Sequence, residues 1–336
     1  MLKLFEKITA LPAVSGREDS LRDFVITEIK DFCEYKTDPL GNLICFKKGK
    51  KAAAKKIMLD AHLDEVGVIA RGFTEDGFVK FTTVGGISPA VLSGRRVIFE
   101  KGVLGVVCSK PVHLSGADEK KKYTDEEKLV IDIGATSRDE AVAAVSLGDT
   151  AVFCSEYTDC GDTVMARAID DRAGVALLIS LLKEEAEYDF YAVFSTQEEV
   201  GCRGAKVAAY ALSPDGAIVL EATTAADLHG VGEESRVCKV GDGPAVSFMD
   251  RGALYDRRLF DAALGSGLKH QVKAAVAGGN NSGAIHLSRE GVPTIAISVP
   301  CRYIHAPTSL CSKEDVAGAL ELAKYMLLKM ASGEIL

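Results

Sequence analysis

The sequence predicts an α/β protein in which a mixed sheet flanked by helices carries an inserted, small β-barrel-like domain. Three observations predict it. After about residue 161, apolar strand-like runs alternate with helix-like runs. Between 66 and 160, short strands follow one another across glycine-rich turns, without alternating helices. Several of the α/β strands end directly on charged residues, where open α/β sheets build their sites. The division that follows is an α/β domain from 1–66 and 161–336, with 67–160 inserted as a β-rich unit.

In chain order, Leu4, Phe5 and Ile8 share one face of an N-terminal helix. No long apolar segment of the secretory type is present there. Ser15-Gly16-Arg17-Glu18 reads as a capping box. Leu21, Phe24, Val25, Ile29 and Phe32 then recur at helical spacing. Residues 43–46 and 56–61 read as strands. The basic run Lys47-Lys48-Gly49-Lys50-Lys51, with Lys55-Lys56, lies between them and reads as a solvated hairpin turn. The insertion reads as strands 66–70, 78–84, 96–99, 103–109, 128–133 and 150–154 with one helix, 137–145. His113 has no ligand partner nearby in sequence and reads as structural. The mixed-charge stretch 116–122 reads as a solvated, mobile loop. Helices are then expected at 172–182, 204–212, 256–264, 281–289 and 316–330, and strands at 190–194, 217–220, 271–276 and 293–299. Ser312-Lys313-Glu314-Asp315 caps the last helix.

Composition narrows the classes of function. With 47% hydrophobic and 26% charged residues, the chain is an ordinary soluble globular protein. A net charge of −8 argues against nucleic-acid binding, which needs basic surface. Nine cysteines without a Cys-x-x-Cys spacing indicate reduced thiols and a cytoplasmic protein. No apolar run reaches the roughly 20 residues of a membrane span.

The chemistry concentrates at element ends. Ser195-Thr196-Gln197-Glu198-Glu199-Val200-Gly201 follows the strand 190–194. Adjacent carboxylates at a buried strand end repel, and burial disfavours their ionisation. Cations or a retained proton relieve that conflict. His62-Leu63-Asp64 follows another strand, Glu221 a third, and His305 a fourth, while Asp170-Asp171 precedes a helix. Singly, each has an ordinary explanation: a satisfied histidine, a helix cap, a lysine partner, a turn. Together they have the composition of a divalent-metal site. Two histidines with Asp170, Glu199 and Glu221 hold two ions if one carboxylate bridges. Glu198 is then free to act as general base toward water. Asp64 is placed to orient the His62 imidazole from outside the ligand set.

The motifs His62-Leu63-Asp64-Glu65-Val66-Gly67, Ala168-Ile169-Asp170-Asp171-Arg172, Gln197-Glu198-Glu199-Val200-Gly201-Cys202-Arg203-Gly204-Ala205 and Arg302-Tyr303-Ile304-His305 resemble the tetrahedral, glutamyl aminopeptidase-like family of co-catalytic metallopeptidases. Their order and rough spacing match over essentially the whole chain, insertion included. The resemblance implies zinc- or cobalt-dependent removal of N-terminal residues from short peptides. It implies that His62 and Glu221 bind one metal, Glu199 and His305 the other, that Asp170 bridges and that Glu198 is the base. It also implies unusual peptide geometry at Asp170-Asp171 and a homo-oligomer, often a tetrahedral dodecamer, built with the β insertion.

Two departures stand out. The family commonly has Asp where this chain has Glu221. Gly278-Gly279-Asn280-Asn281 replaces the more usual Gly-Gly-Thr-Asp, losing a carboxylate near the substrate region. The side-chain preference, and so the substrate pocket, is not assigned by sequence; Arg251 and His229 are candidates to approach it. The rival readings are a metal-dependent deacylase or carboxypeptidase, the endoglucanase activity that some relatives are labelled with, and a structural assembly protein whose metals hold the fold.

Overall fold

The computed structural model describes residues 2–111, 113 and 124–336. Helix α1 (Leu2–Ala10) buries Phe5 and Ile8, and α2 (Asp19–Ile29) buries Leu21, Val25 and Ile29. The expected capping box does not form. The Ser15 hydroxyl donates to Asp64 at 2.6 Å, and Glu18 accepts from the Gly16 N–H at 2.7 Å instead of closing on Ser15. Both side chains are drawn toward the site. Phe32 lies beyond α2 and is exposed, so the helical face ends at Ile29.

Strands β1 (Glu34–Thr37), β2 (Leu43–Lys47) and β3 (Ile57–His62) come next. The insertion follows as β4 (Gly67–Phe73), β5 (Val79–Val84), β6 (Arg96–Phe99), β7 (Leu104–Cys108), β8 (Val130–Asp132), α3 (Arg138–Ala144) and β9 (Thr150–Phe153). These six strands close a barrel in the order β4-β5-β8-β7-β6-β9. Inward residues such as Val68, Phe81, Phe99, Val107 and Ile131 give it a core of its own. His113 is exposed. The stretch 116–122 lies outside the described residues.

The chain then returns through β10 (Thr158–Asp159), β11 (Thr163–Ala166), α4 (Ile169–Lys183), β12 (Phe190–Ser195), α5 (Arg203–Leu212) and β13 (Gly216–Thr224). It continues through β14 (Ala245–Val246), α6 (Arg257–Leu264), β15 (Gln271–Val272), α7 (Ser282–Ile285), β16 (Thr294–Arg302), β17 (Ser309–Ser312) and α8 (Lys313–Ala331). Ser312 caps α8, its hydroxyl accepting from the Glu314 N–H.

The main sheet runs β1-β2-β12-β3-β13-β16-β17-β11-β10, with β14 and β15 added beside β16. Its four central strands, β12, β3, β13 and β16, are mutually parallel. Strands buried on both faces become continuous apolar runs, and every residue of β3 is buried. Parallel order brings all four carboxyl ends to one edge, with Ser195 beside His62 and Glu221 beside Ser298.

Strand order corrects the hairpin reading of the basic run. β12 inserts between β2 and β3, so the lysines lie on a crossover. Lys47 is buried, its ammonium donating to the carbonyls of Phe32 at 3.1 Å and Leu182 at 2.7 Å. Lys50 and Lys51 instead form exposed pairs with Glu185 and Glu187. The expected helix 281–289 shortens to Ser282–Ile285, and the strand 271–276 to Gln271–Val272. Among the described residues no helix is long and apolar enough to cross a membrane.

Candidate metal centre

His62 ends β3 and is 1% exposed. Its Nδ1 faces the Asp64 carbonyl at 3.0 Å. A carbonyl only accepts, so Nδ1 carries the proton and Nε2 presents its lone pair in the neutral ring. That Nε2 lies 3.3 Å from Asp170 Oδ1 and 3.3 Å from Glu221 Oε1. His305, on the loop between β16 and β17, repeats the arrangement. Its Nδ1 is 2.8 Å from the Gly86 carbonyl, and Nε2 is 3.5 Å from Asp170 Oδ2 and 3.2 Å from Glu199 Oε2. Gly86 lies just beyond β5, so the insertion helps set the ring. Tyr303 and His305 both take left-handed backbone conformations, with φ of 62° and 60°. For residues with side chains that conformation is strained, typically by about 1–3 kcal/mol, and clusters at functional sites.

Asp170 therefore stands between two imidazoles, one oxygen toward each. It sits at the N-terminal end of α4, and the Asp170–Asp171 peptide bond is cis. The ligand atoms of His62, Asp170 and Glu199 lie within 4.8 Å of one another, as do those of His62, Asp171 and Glu221. Asp171 is the member that sequence reasoning missed. Its carboxylate accepts the Gly174 N–H at 2.8 Å and the His62 N–H at 3.2 Å. A Cβ on Gly174 would sit 2.4 Å from that carboxylate, which is why glycine stands there.

Asp64 holds a turn together. Oδ1 accepts the Glu198 N–H at 2.9 Å, and Oδ2 accepts the Glu199 N–H at 3.1 Å and the Ser15 hydroxyl. Its carboxylate is farther from the His62 ring, 3.4 Å, than its own carbonyl is. Glu18 joins the same turn, accepting the Gln197 N–H at 3.1 Å. Nothing in the local sequence distinguished this Glu18 from a capping residue. Beneath lies a buried ionic group. Glu65 accepts from Arg167 at 2.7 Å and Arg172 at 2.8 Å, and Arg172 also donates to the carbonyls of Ile8, Leu11 and Leu63.

Burial raises the Glu199 and Glu221 carboxyls, the latter strongly. Burial pushes Glu198 up to about 8, with Glu199, Asp170 and Asp64 adding to the rise and His62 opposing it. Asp170 goes the other way. Burial opposes its ionisation, yet the bonds from His305 and His62 hold it well below the usual carboxylate range. Burial alone would lower His305, but Asp170 and Glu199 push it up to about 11. The carboxylates thus favour a cation between them, either protons on the imidazoles or a metal ion in their place, which leaves the rings neutral.

Those residues fit a metal. Glu199 Oε1 and Glu221 Oε2 are buried and receive no hydrogen bond from the described residues. An orphaned carboxylate oxygen is costly, and a divalent cation satisfies it. Neutral imidazole nitrogens aimed at carboxylates form the donor set of borderline cations.

The departures from the family pattern also find places. Asn281 is buried away from solvent, donating to Asp60 at 2.6 Å and to Ser195 at 2.9 Å. Asn280 lines a cavity of about 870 Å³ that also touches Gly201, Cys202 and Arg251. His229 is exposed. Nearby, Asp227 grips Arg302 through two bonds of 2.7 Å, tying the end of β16 to the segment after β13.

A mixed α/β sheet with an inserted barrel is the architecture of solved TET aminopeptidases, and the histidine–carboxylate cluster lies at the carboxyl edge of that sheet. The chain belongs to the M42 glutamyl aminopeptidase family, whose profile matches residues 41–322. It is 33% identical to the lysyl aminopeptidase of Pyrococcus furiosus over 97% of this chain and 96% of that one. The TET aminopeptidase of the archaeon Thaumarchaeota SCGC AB-539-E09 superposes with a TM-score of 0.94 at 30% identity, covering 99% and 97% of the two chains. The Pyrococcus horikoshii TET1 peptidase, described as assembling into a tetrahedron or a large octahedral shell, matches with a TM-score of 0.85 at 33% identity, over 97% and 98%.

Proposed function

We propose that this chain is a two-metal aminopeptidase that removes N-terminal residues from short peptides, with Glu198 as general base. The observation that carries the reading is Asp170, shared between His62 with Glu221 on one side and His305 with Glu199 on the other. His62 and Glu221 would hold one cation, Glu199 and His305 a second, and Asp170 both. Zinc and cobalt suit these donors. Bound there, the cations supply Lewis acidity toward a water and the scissile carbonyl.

The protein's own groups do the rest. Asp64 fixes the backbone of Glu198 and Glu199, so the base and a ligand share one rigid turn. Glu198 takes a proton from the attacking water and returns it to the leaving amine. Its carboxyl is free for this work: its side-chain bond is a weak one of 3.5 Å from the Cys202 thiol. The two carboxylates of a glycosidase need no imidazoles, so the His62 and His305 geometry favours peptide hydrolysis.

The same proposal includes self-assembly. Leu104 and Val106 project from the outer face of β7 and are 58% and 41% exposed. Apolar side chains on a barrel's outer face suit a contact with a second copy, and a tetrahedral dodecamer is the expected assembly. Light scattering of a Leu104→Lys protein tests this: a smaller particle supports it, and an unchanged mass argues against the barrel face. A cytoplasmic location agrees with nine free cysteines.

The functional test is amino-acid release from short peptides with free or acetylated N-termini, after chelation and after adding back zinc, cobalt or manganese. Metal-restored release from free N-termini alone is expected. Cleavage of the acetylated set would transfer the site to a deacylase or carboxypeptidase.

A further inference from the structure

Beside the catalytic turn lies the cavity of about 870 Å³, between the first turns of α5 and the α7 region. It neighbours Glu198 through one residue: Cys202 lines it, and the Cys202 thiol lies 3.5 Å from Glu198 Oε1. Its charge is one-sided. Lys206, Arg251 and Arg289 line it, and no carboxylate does, in a chain of net charge −8. Neither the Lys206 ammonium nor the Arg251 guanidinium has a hydrogen-bond or ion-pair partner among the described residues. Arg289 stacks on the Tyr210 ring, 3.6 Å from its centre, and donates to the Tyr210 carbonyl, so it is held in place without being neutralised. Most of the remaining wall is apolar or glycine, through Val207, Leu287, Gly252 and Gly283, with Asn280 and Ser288 as neutral polar groups.

Cations without counter-ions on an apolar wall recognise an amphipathic anion. The volume exceeds one side chain and lies in the range, roughly 300–1,000 Å³, that takes a small molecule whole. The anion in reach of an aminopeptidase base is a carboxylate of the peptide itself. We propose that this cavity receives the portion of the peptide beyond the scissile bond, and that Arg251, with Lys206 and Arg289, binds a carboxylate carried by that portion. The inference rests on the aminopeptidase reading and deepens it. Where the bound carboxylate is the terminal one, preference for short peptides follows, because the chain end must then lie within the cavity.

Three tripeptides with the same N-terminal residue test it: one with a free C-terminus, one amidated, and one amidated with glutamate in the last position. At low salt the free acid is expected to exceed the amide at least about tenfold in kcat/KM, a gap that salt narrows. In Arg251→Gln/Lys206→Gln protein the ratio should fall below about twofold, through a raised KM for the free acid. Restoration by the glutamate side chain assigns the site to any carboxylate; no restoration assigns it to the chain end. Equal turnover of free acid and amide, or a ratio the double substitution leaves intact, overturns the proposal. Binding is read separately by calorimetry of the same peptides on Glu198→Gln protein. Failure of all three to be cleaved by the wild type would defeat the aminopeptidase reading, whereas equal affinities in calorimetry would defeat the subsite.

Discussion

The carboxylate of Asp64 accepts the backbone N–H of Glu198 at 2.9 Å. Residues 134 positions apart are thereby locked into one unit, and Glu199 is held by the other oxygen of the same group. The proposed base and a candidate ligand take their places from one buried side chain.

Replacing Asp64 by Asn retains the volume but turns a two-oxygen acceptor into a half-donor facing N–H groups. Outer supports of metal sites typically contribute 10–100-fold in affinity or activity. Asp64→Asn should lower metal affinity within that range, measured by competition with a chromophoric chelator. Wild-type affinity would show that the turn holds itself.

Glu198 is assigned a proton transfer and no ligand bond. Glu198→Gln should therefore reduce peptide turnover by about 10²–10⁴-fold while metal content, measured by elemental analysis of the dialysed protein, stays at the wild-type level. A metal-loaded variant that keeps its rate removes Glu198 from the chemistry.

Burial holds the Glu18 carboxyl up at about 7, even though the N–H groups of Gly16 and Gln197 lower it and Asp64 raises it further. The folded protein thus binds this proton more tightly than the unfolded chain, whose ordinary value is 4.5. Its contribution to stability is complete below the ordinary value and is lost as pH rises through about 7. Glu18→Gln cannot titrate. It should be more stable than the wild type by about 1–3 kcal/mol at pH 8, the difference closing near pH 4, as read from urea midpoints across pH. Parallel pH profiles for the two proteins would contradict this.

Asp60 and Asn281 form a buried pair in which burial pushes Asp60 up to about 7, while bonds from Asn281 and Ser195 pull it down. Asn281→Asp restores the more usual family residue but removes two donors and sets two carboxyls together. Destabilisation of about 1–3 kcal/mol is expected at neutral pH. The penalty should grow above pH 7, because each raised carboxyl must then lose its proton inside the fold. Thermal unfolding at pH 6 and pH 8.5 reads both effects, and equal melting at the two values would refute the coupling.

The sequence by itself determined the strands that matter most. β3, β12, β13 and β16 are buried almost throughout, so they had to be largely apolar runs, and the charged residues toward their carboxyl ends stood out against them. The histidines and carboxylates that the structure brings together were legible for that reason, and so was the barrel, as strands without helices. Only the tertiary structure decided what joins them. The short, fully exposed β1 carries no alternation to read. The place of β12 between β2 and β3 turned an apparent hairpin into a crossover. Which oxygen of Asp170 meets which imidazole, and the use of Ser15, Glu18 and Asp64 to hold the turn at 197–199, depend on contacts between segments far apart in sequence. Local pattern reports the period and burial of a segment. Strand order decides what that segment touches, and the site is built from those contacts.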